Sequence, residues 1–513
     1  MTGTNYLEKE LKKRFNYSSF RTGQKEIIQD VLNHKDVLGI LPTGSGKSIC
    51  YQLPAMLMEG ATIVISPLIS LMIDQVKELR ASHFKQVIAI NSFLDSDERR
   101  KVMNQLHTYK IIYISPELLQ QEFILKKLEQ LHICLFVIDE AHCISQWGHE
   151  FRPDYLKLEQ VTRRLRNPTT LALSATCPPH VQNDIIQVLE KPDMKKHIYP
   201  MDRTNITFSV EHVTSNNEKM DYIHSLLHTY KVPTLIYFNN RKAAEECVSK
   251  LIDKLPGRRI AFYHGGMEQM DRIIVQQQFM NNQLDVICCT NAFGMGINKS
   301  DIRLIIHYHF PLQIESFIQE VGRAGRDGKQ SMSLLLYSPK DVAIPKSLIQ
   351  SELPIDGQIN AVFHYLLKTW KTDQSIPWDD SHLINLFQMN ETQWRFLYYQ
   401  LEKNDMIKGK RIVYDEYNWK QAFLSIQAKR DERLQYKENK LYDMMKWLHQ
   451  ESCLRKHLYK DFQAGYSQPI GPCCSNCEFS WSEWKPKEIN RFNETNKTWQ
   501  NKLKDILFIG ETT

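Results

Sequence analysis

The segment Leu135-Phe136-Val137-Ile138-Asp139-Glu140-Ala141-His142 decides the expected fold, because its apolar run ends directly in two carboxylates. Such a run is typical of a strand that is buried in a parallel sheet. Upstream stands the glycine-rich stretch Thr43-Gly44-Ser45-Gly46-Lys47-Ser48. Its glycines allow backbone N–H groups to turn inward around phosphate oxygens. Together the two segments predict a nucleotide-hydrolysis site at one edge of a parallel sheet.

The polar residues of these segments each have an expected role. Lys47 is expected to reach the β- and γ-phosphates of ATP, and the Ser48 hydroxyl is expected to bind Mg²⁺. Asp139 would hold the same metal from the tip of its strand, and Glu140 would orient or deprotonate the attacking water. The loop departs from the GxxxxGK[ST] pattern, since Leu41 stands in place of the first glycine. Taken alone it could be an ordinary glycine turn, and the acidic pair downstream makes a nucleotide site the better interpretation.

Length and composition are those of a large globular protein. The chain has 513 residues, room for about three or four domains, with 42% hydrophobic and 24% charged residues. Its net charge of +6 hints at a polyanionic partner without establishing one. The N-terminus lacks the apolar core of a secretory signal, and the longest apolar stretch, 61–72, is interrupted by Ser66, Pro67 and Ser70. We therefore expect a soluble, cytoplasmic and nucleoid-associated protein with no membrane partner.

The organisation of the chain predicts two α/β lobes. Short β-branched runs alternate with helical patterns, which is typical of a parallel sheet covered by helices on both faces. The runs of the first block are 37–40, 61–66, 87–91, 111–115, 135–138 and 170–174, and those of the second are 234–238, 260–263, 285–289, 304–308 and 331–337. The polar segment 214–219 separates the blocks, and the second has no GK[ST] of its own. We therefore expect a cleft in which the second lobe completes the site.

From about residue 347 the strand rhythm stops. Helical patterns at 382–387 and 391–404 precede a short hairpin around 411–414, an order that fits a winged helix and a generic helical subdomain about equally well. Residues 429–449 read as a charged amphipathic helix. Seven scattered cysteines are expected to be buried reduced thiols, namely Cys50, Cys134, Cys143, Cys177, Cys247, Cys288 and Cys289.

Short motifs follow one another in order along both blocks. In the first block they are Phe20-Arg21-x-x-Gln24, Leu41 to Ser48, Ser66-Pro67-Leu68-Ile69-Ser70-Leu71, Ser115-Pro116-Glu117, the DEAH box at 139–142, and Ser174-Ala175-Thr176. In the second block they are Tyr263-His264-Gly265-Gly266-Met267, Thr290-Asn291-Ala292-Phe293-Gly294-Met295-Gly296-Ile297, and Gln319-Glu320-Val321-Gly322-Arg323-Ala324-Gly325-Arg326-Asp327-Gly328. With these motifs the chain resembles the RecQ helicases of superfamily 2 from residue 15 to about residue 338.

The resemblance implies a fold and a division into domains. The fold is of the α/β class, with two RecA-like parallel-sheet lobes followed by a mainly helical C-terminal region that carries a zinc-binding-like cysteine cluster. The expected parts are lobe 1 with the ATP site at 1–203, lobe 2 at 204–346, a helical or winged-helix-like insert at 347–425, a zinc-binding-like subdomain at 426–480 and a tail at 481–513. Typical RecQ chains continue into further nucleic-acid-binding modules, for which the 33 residues after Ser480 are too few.

Two motifs are implied to complete the ATP site. Arg21 and Gln24 belong to the segment that resembles the family's adenine reader, and a glutamine amide can pair both adenine N6 and N7. Arg323 and Arg326, three apart on one expected helical face, could be a solvated surface pair. In a two-lobe ATPase they are better interpreted as cationic partners of the γ-phosphate. The family assigns an arginine finger to this motif, and either arginine could be that finger.

The stretch 145–155 resembles the family's aromatic-rich loop, which links DNA contact to hydrolysis. Trp147, His149, Phe151, Arg152 and Tyr155 lie among polar residues, which suits base stacking and phosphate contact. The alternative is an aromatic plug in the core.

Further DNA contacts are expected from loops at strand ends, which can bind phosphates through hydroxyls and backbone N–H groups. The residues concerned are Ser66, Pro67, Ser115, Thr290, Phe293 and Met295.

Four cysteines near the C-terminus predict a metal site. Cys453, Cys474 and Cys477 fit the RecQ pattern of a Cys followed by CxxCxxC, but Ser480 occupies its last position. Cys473 is the expected fourth Zn²⁺ ligand, and His457, one helical turn after Cys453, is the alternative. Loss of the metal, with the thiols simply buried, is a further possibility.

The predicted function is an ATP- and Mg²⁺-dependent DNA helicase. The resemblance implies 3′ to 5′ movement along single-stranded DNA, unwinding of duplex or branched DNA, and a role in recombination and repair, with repair proteins and single-strand-binding proteins as possible partners. An RNA helicase, which would favour ribose 2′-OH contacts, is one alternative. A DNA-binding or annealing scaffold with weak unwinding is the other.

Overall fold

The computed structural model describes residues 4–91, 94–145, 152–294, 299–373, 375–376, 380–409, 411–463, 465 and 467–486. Within these ranges every helix is too short or too polar to cross a membrane. Of the residues predicted to contact DNA, Trp147, His149, Phe151 and Met295 lie outside the described ranges.

Lobe 1 is built on a seven-stranded parallel sheet with the order β3-β4-β2-β5-β6-β1-β7. Its inner strands are runs of Val, Ile and Leu with helices on both faces, so they are buried throughout. The strands are β1 Val37–Ile40, β2 Ala61–Ile65, β3 Val87–Ile90, β4 Ile111–Ile114, β5 Ile133–Ile138, β6 Thr169–Ser174 and β7 Lys195–Ile198. The helices are α1 Thr4–Phe15, α2 Gln24–Leu32, α3 Ile49–Leu57, α4 Ile69–Ala81, α5 Ser96–Asn104, α6 Pro116–Leu119, α7 Glu122–Leu128, α8 Leu158–Arg164 and α9 Pro179–Val188.

Lobe 2 repeats the plan with six parallel strands in the order β10-β11-β9-β12-β13-β8. Its strands are β8 Ile206–His212, β9 Thr234–Tyr237, β10 Ile260–Tyr263, β11 Val286–Cys289, β12 Leu304–His307 and β13 Ser331–Tyr337. Its helices are α10 Asn216–Thr229, α11 Arg241–Lys254, α12 Gln269–Met280 and α13 Ile314–Val321. The two sheets confirm the predicted fold class, although β7 and β8 were not among the predicted strands. The seven scattered cysteines are buried free thiols, as expected.

The C-terminal region is mainly helical. It comprises α14 Ala343–Ser351, α15 Asp356–Thr372, α16 Asp380–Leu386, α17 Glu391–Lys403, α18 Glu416–Leu448 and α19 Leu454–Tyr459, with the antiparallel pair β14 Ile407–Lys408 and β15 Arg411–Ile412. Helix α15, α17, the hairpin and the first half of α18 share a separate core around Trp394, Leu397 and Trp419. The second half of α18 joins the core of the lobes through Met444 and Trp447. The predicted boundary at 425 therefore falls inside one continuous helix.

A short C-terminal segment extends the sheet of lobe 2. Strand β8 is an edge strand, and the amide of Phe208 donates to the Cys473 carbonyl at 3.2 Å. The Thr207 hydroxyl donates to the Pro472 carbonyl at 2.7 Å, and Phe208 forms a parallel bridge with Cys474. Residues 453–477, called the cysteine module below, are thereby attached to the edge that would otherwise present unpaired backbone groups.

Candidate active site

The carboxyl edge of the lobe 1 sheet brings the predicted motifs together. Strand β1 runs into the nucleotide loop, residues 43–48, and β5 runs into Asp139 and Glu140. Strand β6 lies between β1 and β5 and ends at Ser174, so three motifs meet at one edge. The Nδ1 atom of His142 lies 2.9 Å from the Ser174 hydroxyl. This contact links the DEAH box to the motif Ser174-Ala175-Thr176. Burial lowers the pKa of His142 to about 3.

The nucleotide loop needs its glycines. Gly44 has φ +83° and Gly46 has φ +75°, both in the left-handed region that side chains disfavour. A β-carbon on Gly44 would lie 2.9 Å from Cγ of Arg326, and one on Gly46 would lie 2.9 Å from Nε2 of Gln24. The loop is therefore packed tightly on both sides.

Arg21 and Gln24 lie directly against this loop. Nη1 of Arg21 donates to the Gly44 carbonyl at 2.5 Å, and Nε2 of Gln24 donates to the carbonyls of Ser45 and Gly46 at 2.8 and 3.0 Å. The structure thus brings the two predicted ATP-binding motifs together. In this conformation the Gln24 amide binds the loop, and its pairing with adenine stays a prediction.

The acidic pair consists of a buried residue, Asp139, and a half-buried residue in a strained conformation, Glu140. Burial, with a smaller contribution from the charge of Glu140, raises the pKa of Asp139 to about 7, and the charge of Lys47 opposes that rise. Glu140 has φ +49°, an unfavourable conformation for a side chain, of the kind that is often found at functional sites. Its Oε2 atom is buried and has no hydrogen-bond partner among the described residues.

Among the described residues, three arginine side chains contact the nucleotide loop, those of Arg21, Arg203 and Arg326. Burial, followed by the charges of Arg323, Arg203 and Arg21, lowers the pKa of Arg326 to about 9. The prediction that Arg323 and Arg326 share a helical face is wrong, because α13 ends at Val321 and both arginines lie in the turns that follow. Arg323 donates to the Gly294 carbonyl, whereas Arg326 lies against the nucleotide loop.

The residues present fit a nucleoside triphosphate with Mg²⁺. Arginine side chains that repel one another lie beside a loop of turned amides, and a polyphosphate would compensate their charge. The Ser45 hydroxyl is buried with no hydrogen-bond partner among the described residues. The crowding of Asp139 by Glu140 would be relieved by a cation held between Asp139 and Ser48.

The described strand-end residues predicted to contact DNA lie at the ends of strands, but their side chains are not exposed. Ser66, Pro67, Ser115 and Thr290 follow the strands as expected, but their side chains are buried. The Ser115 hydroxyl caps α6 by accepting from the Leu118 amide at 3.4 Å. The side chain of Phe293 packs in the lobe 2 core, with its ring centroid 4.6 Å from that of Tyr263. Because the ring is buried, a DNA contact at Phe293 would come from its backbone, and this contact stays a prediction.

At the described end of the aromatic segment, Arg152 is half-buried and Tyr155 is fully buried. Nη1 of Arg152 lies 3.3 Å from Oε1 of Glu117, at a half-buried position. Tyr155 is fully buried, and its hydroxyl donates to the Asp139 carbonyl at 3.3 Å. The base-stacking interpretation is wrong for Tyr155, because its ring supports the acidic motif from inside the core.

The four C-terminal cysteines form one group. The Sγ atoms of Cys453, Cys473, Cys474 and Cys477 lie within 4.8 Å of one another. Nε2 of His457 instead lies 2.9 Å from the Ser452 hydroxyl. The structure therefore groups Cys473, rather than His457, with the other three cysteines.

Arg203 is a site residue that the sequence interpretation missed. It lies in the connection between β7 and β8, and its guanidinium donates to the carbonyls of Thr43 and Gly325 at 3.0 and 2.5 Å. No motif spacing marks it, and only its place between the two predicted lobes could have drawn attention to it.

Comparison with protein families agrees with this geometry. Residues 21–185 match the model described as DEAD/DEAH box helicase, and residues 218–328 match the helicase conserved C-terminal domain. The chain is 40% identical over 505 residues to the probable ATP-dependent DNA helicase RecS of Bacillus subtilis, covering 98% of this chain and 97% of that relative. It is also 40% identical over 335 residues to the ATP-dependent DNA helicase RecQ of Haemophilus influenzae, covering 65% of this chain and 53% of that relative.

Solved structures share the fold at lower identity. The helicase Lhr of Mycobacterium smegmatis, bound to ssDNA and AMP-PNP, has a TM-score of 0.58 at 19% identity and covers 82% of this chain and 61% of Lhr. Dbp5 of S. cerevisiae, bound to RNA and ADP BeF3, has a TM-score of 0.53 at 19% identity and covers 67% of this chain and 90% of Dbp5. These structures show the fold, and the sequence relatives with the two matched family models show that the chain belongs to the RecQ family of ATP-dependent DNA helicases within superfamily 2.

Proposed function

We propose that the chain moves 3′ to 5′ along single-stranded DNA and unwinds duplex or branched DNA during recombination and repair. The observation that carries the movement along a strand is the contact of Arg326, from lobe 2, with Gly44 of the nucleotide loop in lobe 1. The polarity and the role in recombination and repair are those that the family resemblance implies. An ATP site that needs both lobes converts hydrolysis into relative movement of the lobes. Alternating strand affinity between the lobes would then produce stepwise translocation.

The proposed hydrolysis uses residues from both lobes. Ser48 and Asp139 would hold Mg²⁺, which when bound neutralises charge on the β- and γ-phosphates. Lys47 binds those phosphates, and Glu140 orients or deprotonates the attacking water. Arg326 is proposed as the arginine finger, because it lies at the loop whereas Arg323 is bonded to the Gly294 carbonyl.

The helical insert is proposed to assist strand separation. The Nζ atom of Lys157, at the end of the 3₁₀ turn Pro153–Lys157 that overlaps the end of the aromatic segment, lies 2.8 Å from Oε2 of Glu402 in α17. The insert therefore touches the segment that leads from the proposed DNA-sensing loop. A duplex that enters along this face would meet the insert as its strands part.

The cysteine module is proposed to bind one structural Zn²⁺ through Cys453, Cys473, Cys474 and Cys477. A tetrahedron of Zn–S bonds of ~2.3 Å places sulfurs about 3.8 Å apart. The Sγ atoms of Cys453 and Cys473 are 3.6 Å apart, and those of Cys474 and Cys477 are 3.5 Å apart. The other separations among the four Sγ atoms are at most 4.8 Å, so all four sulfurs lie around one common centre.

The decisive experiment compares unwinding of 3′-tailed and 5′-tailed DNA duplexes with ATP and Mg²⁺. We expect unwinding of the 3′-tailed duplex, and unwinding of the 5′-tailed duplex alone would overturn the polarity. ATPase stimulation by single-stranded DNA and by RNA should be compared in parallel. Equal or greater stimulation by RNA would favour an RNA helicase, and ATPase without unwinding would favour the annealing scaffold.

A further inference from the structure

Arg203 joins the two halves of the ATP site. Its Nη1 atom donates to the Thr43 carbonyl at 3.0 Å and to the Gly322 carbonyl at 3.2 Å. Its Nη2 atom donates to the Gly325 carbonyl at 2.5 Å and to the Ala324 carbonyl at 3.3 Å. Thr43 belongs to the nucleotide loop of lobe 1, and the other three belong to the segment of lobe 2 that carries Arg326. One guanidinium thus contacts both lobes where they meet.

The chemistry of these contacts requires an arginine. These four acceptors are backbone carbonyls, and Oδ1 of Asn205 is a fifth acceptor, 3.5 Å from Nη2. A planar guanidinium with five fixed donors can bridge them in several directions at once. A lysine ammonium would keep the positive charge but would lose the planar array of donors that reaches several carbonyls. We propose that Arg203 is a positioning residue that holds the arginine segment of lobe 2 against the nucleotide loop, so that Arg326 is in place when ATP is hydrolysed. The inference rests on the proposed function, since it presumes hydrolysis between the lobes.

The cysteine module holds Arg203 in turn. Arg455 of α19 is fully buried, forms an ion pair with Asp202, and donates to the carbonyls of Arg203, at 3.1 Å, and Ile206. Its guanidinium lies 4.9 Å from the ring centroid of Phe208. A buried ion pair with these added hydrogen bonds is costly to break from one side.

Further hydrogen bonds fix the backbone on both sides of Arg203. Oε1 of Gln463 accepts from the amides of Met201 and Asp202 at 3.0 and 3.2 Å. The Ile470 amide donates to the Thr204 carbonyl at 2.9 Å. The cysteine module therefore holds the backbone of the connection between the lobes in one conformation. A defect in the module would reach the ATP site through this connection, without contact with nucleotide or DNA.

The test replaces Arg203 by Lys and by Gln in the full-length chain. Three quantities are measured: kcat of ATP hydrolysis with saturating single-stranded DNA, the affinity for a fluorescent ADP analogue, and the radius of gyration with and without AMP-PNP and DNA. Arg163→Gln is the matched control, because Arg163 forms surface ion pairs with Glu159 and Glu190 in lobe 1. Arg455→Lys tests whether the cysteine module holds Arg203 in position.

We expect both Arg203 variants to lose about tenfold or more in kcat while their affinity for the ADP analogue changes by less than about threefold. Their AMP-PNP-induced compaction should be reduced, and the control should match the wild type. Arg455→Lys should shift the same quantities in the same direction by a smaller factor.

Three results would overturn the inference. The first is a kcat for Arg203→Lys within about threefold of the wild type, since charge alone would then suffice. The second is a loss of ADP-analogue affinity in step with kcat, which would assign Arg203 to the loop itself. The third is normal compaction in both variants. Should Arg203→Gln fail to fold, Arg203→Lys alone decides. Failure of unwinding in the wild type would contradict the proposed function and leave this ATPase comparison valid.

Discussion

Arg326 of lobe 2 packs against Gly44 of the nucleotide loop, so closely that a β-carbon on Gly44 would lie 2.9 Å from its Cγ atom. Arg323, three residues earlier, is turned away and bonded to the Gly294 carbonyl. The two arginines of one motif therefore have different neighbours, and their substitution should have different consequences.

Arg326→Ala should reduce kcat about 10³-fold, because it removes the cation that would stabilise charge on the transferring phosphoryl group. Arg323→Ala should reduce kcat less and lower the melting temperature, because Arg323 anchors the Gly294 turn in the core. DNA-stimulated ATPase and thermal melting of both variants check this assignment. A larger loss of kcat in Arg323→Ala than in Arg326→Ala would show that Arg323 is the arginine finger.

Gly44→Ala should nearly abolish hydrolysis. The residue has φ +83°, and the added carbon would collide with Arg326, so the loop must change shape. Gly357→Ala is the control, because Gly357 lies in α15 with nothing within 4 Å of the added carbon. That control should retain full activity and gain about 0.5–1 kcal/mol of stability from helix propensity. Normal ATPase in Gly44→Ala would show that the loop does not form the nucleotide site.

Lys47→Ala should reduce ATP hydrolysis about a hundredfold or more and eliminate unwinding, because it removes the charge that meets the β- and γ-phosphates. Glu140→Gln should still bind ATP but fail to hydrolyse it. Nucleotide binding and DNA-stimulated ATPase, measured side by side, separate the two defects. Substantial stimulated ATPase in either variant would refute the site assignment.

Trp147→Ala and Phe151→Ala should leave DNA affinity largely intact, because phosphate contacts dominate binding, while DNA-stimulated ATPase and unwinding fall. Tyr155→Ala provides the contrast. Its buried ring supports the acidic motif, so its loss should cost about 3–5 kcal/mol of stability, as large aromatic truncations do. If Trp147→Ala instead melts early and loses basal and stimulated ATPase together, the aromatic-plug interpretation applies to that residue as well.

Protein purified without chelator should contain close to one zinc per chain. Cys474→Ala and Cys473→Ala should each lose zinc and stability, since metal-binding energy here contributes to folding. His457→Ala should keep both, because His457 contacts Ser452 rather than the cysteine group. Zinc-free wild-type protein, with unchanged melting in Cys474→Ala, would refute the metal site. Zinc loss in His457→Ala but not in Cys473→Ala would reassign the fourth ligand.

The sequence predicted the inner strands of both lobes well, because a strand covered on both faces must be apolar along its whole length. It missed β7, whose residues Lys195–Ile198 are largely exposed at the sheet edge, and β8, which lies at an edge of the second sheet. Strand β7 is too polar to carry the signal that identified the others. In β8 the apolar residues alternate with Thr and Ser, so there is no continuous apolar run.

The site was predicted where chemistry is carried by local motifs. Lys47, Asp139 and the cysteine group all come from short patterns with a recognisable spacing. Arg203 was missed because its acceptors at Gly322 and Gly325 lie about 120 residues away, and a lone arginine in a connection has no distinguishing pattern. Tyr155 was misassigned because its neighbours in sequence are polar, whereas its neighbours in space are those of the core.

The pairing of β8 with the cysteine module has a consequence for synthesis of the chain. The sheet of lobe 2 can close once β13 has been made, at Tyr337, but the partner of Phe208 arrives only with Cys473 and Cys474. At ~5–20 residues/s the edge of β8 stays uncovered for roughly 7 to 27 s on the ribosome. An uncovered edge strand is a template for pairing with other chains. The nascent protein is therefore most prone to aggregation in this interval, and slow translation between 338 and 473 would lower its soluble yield.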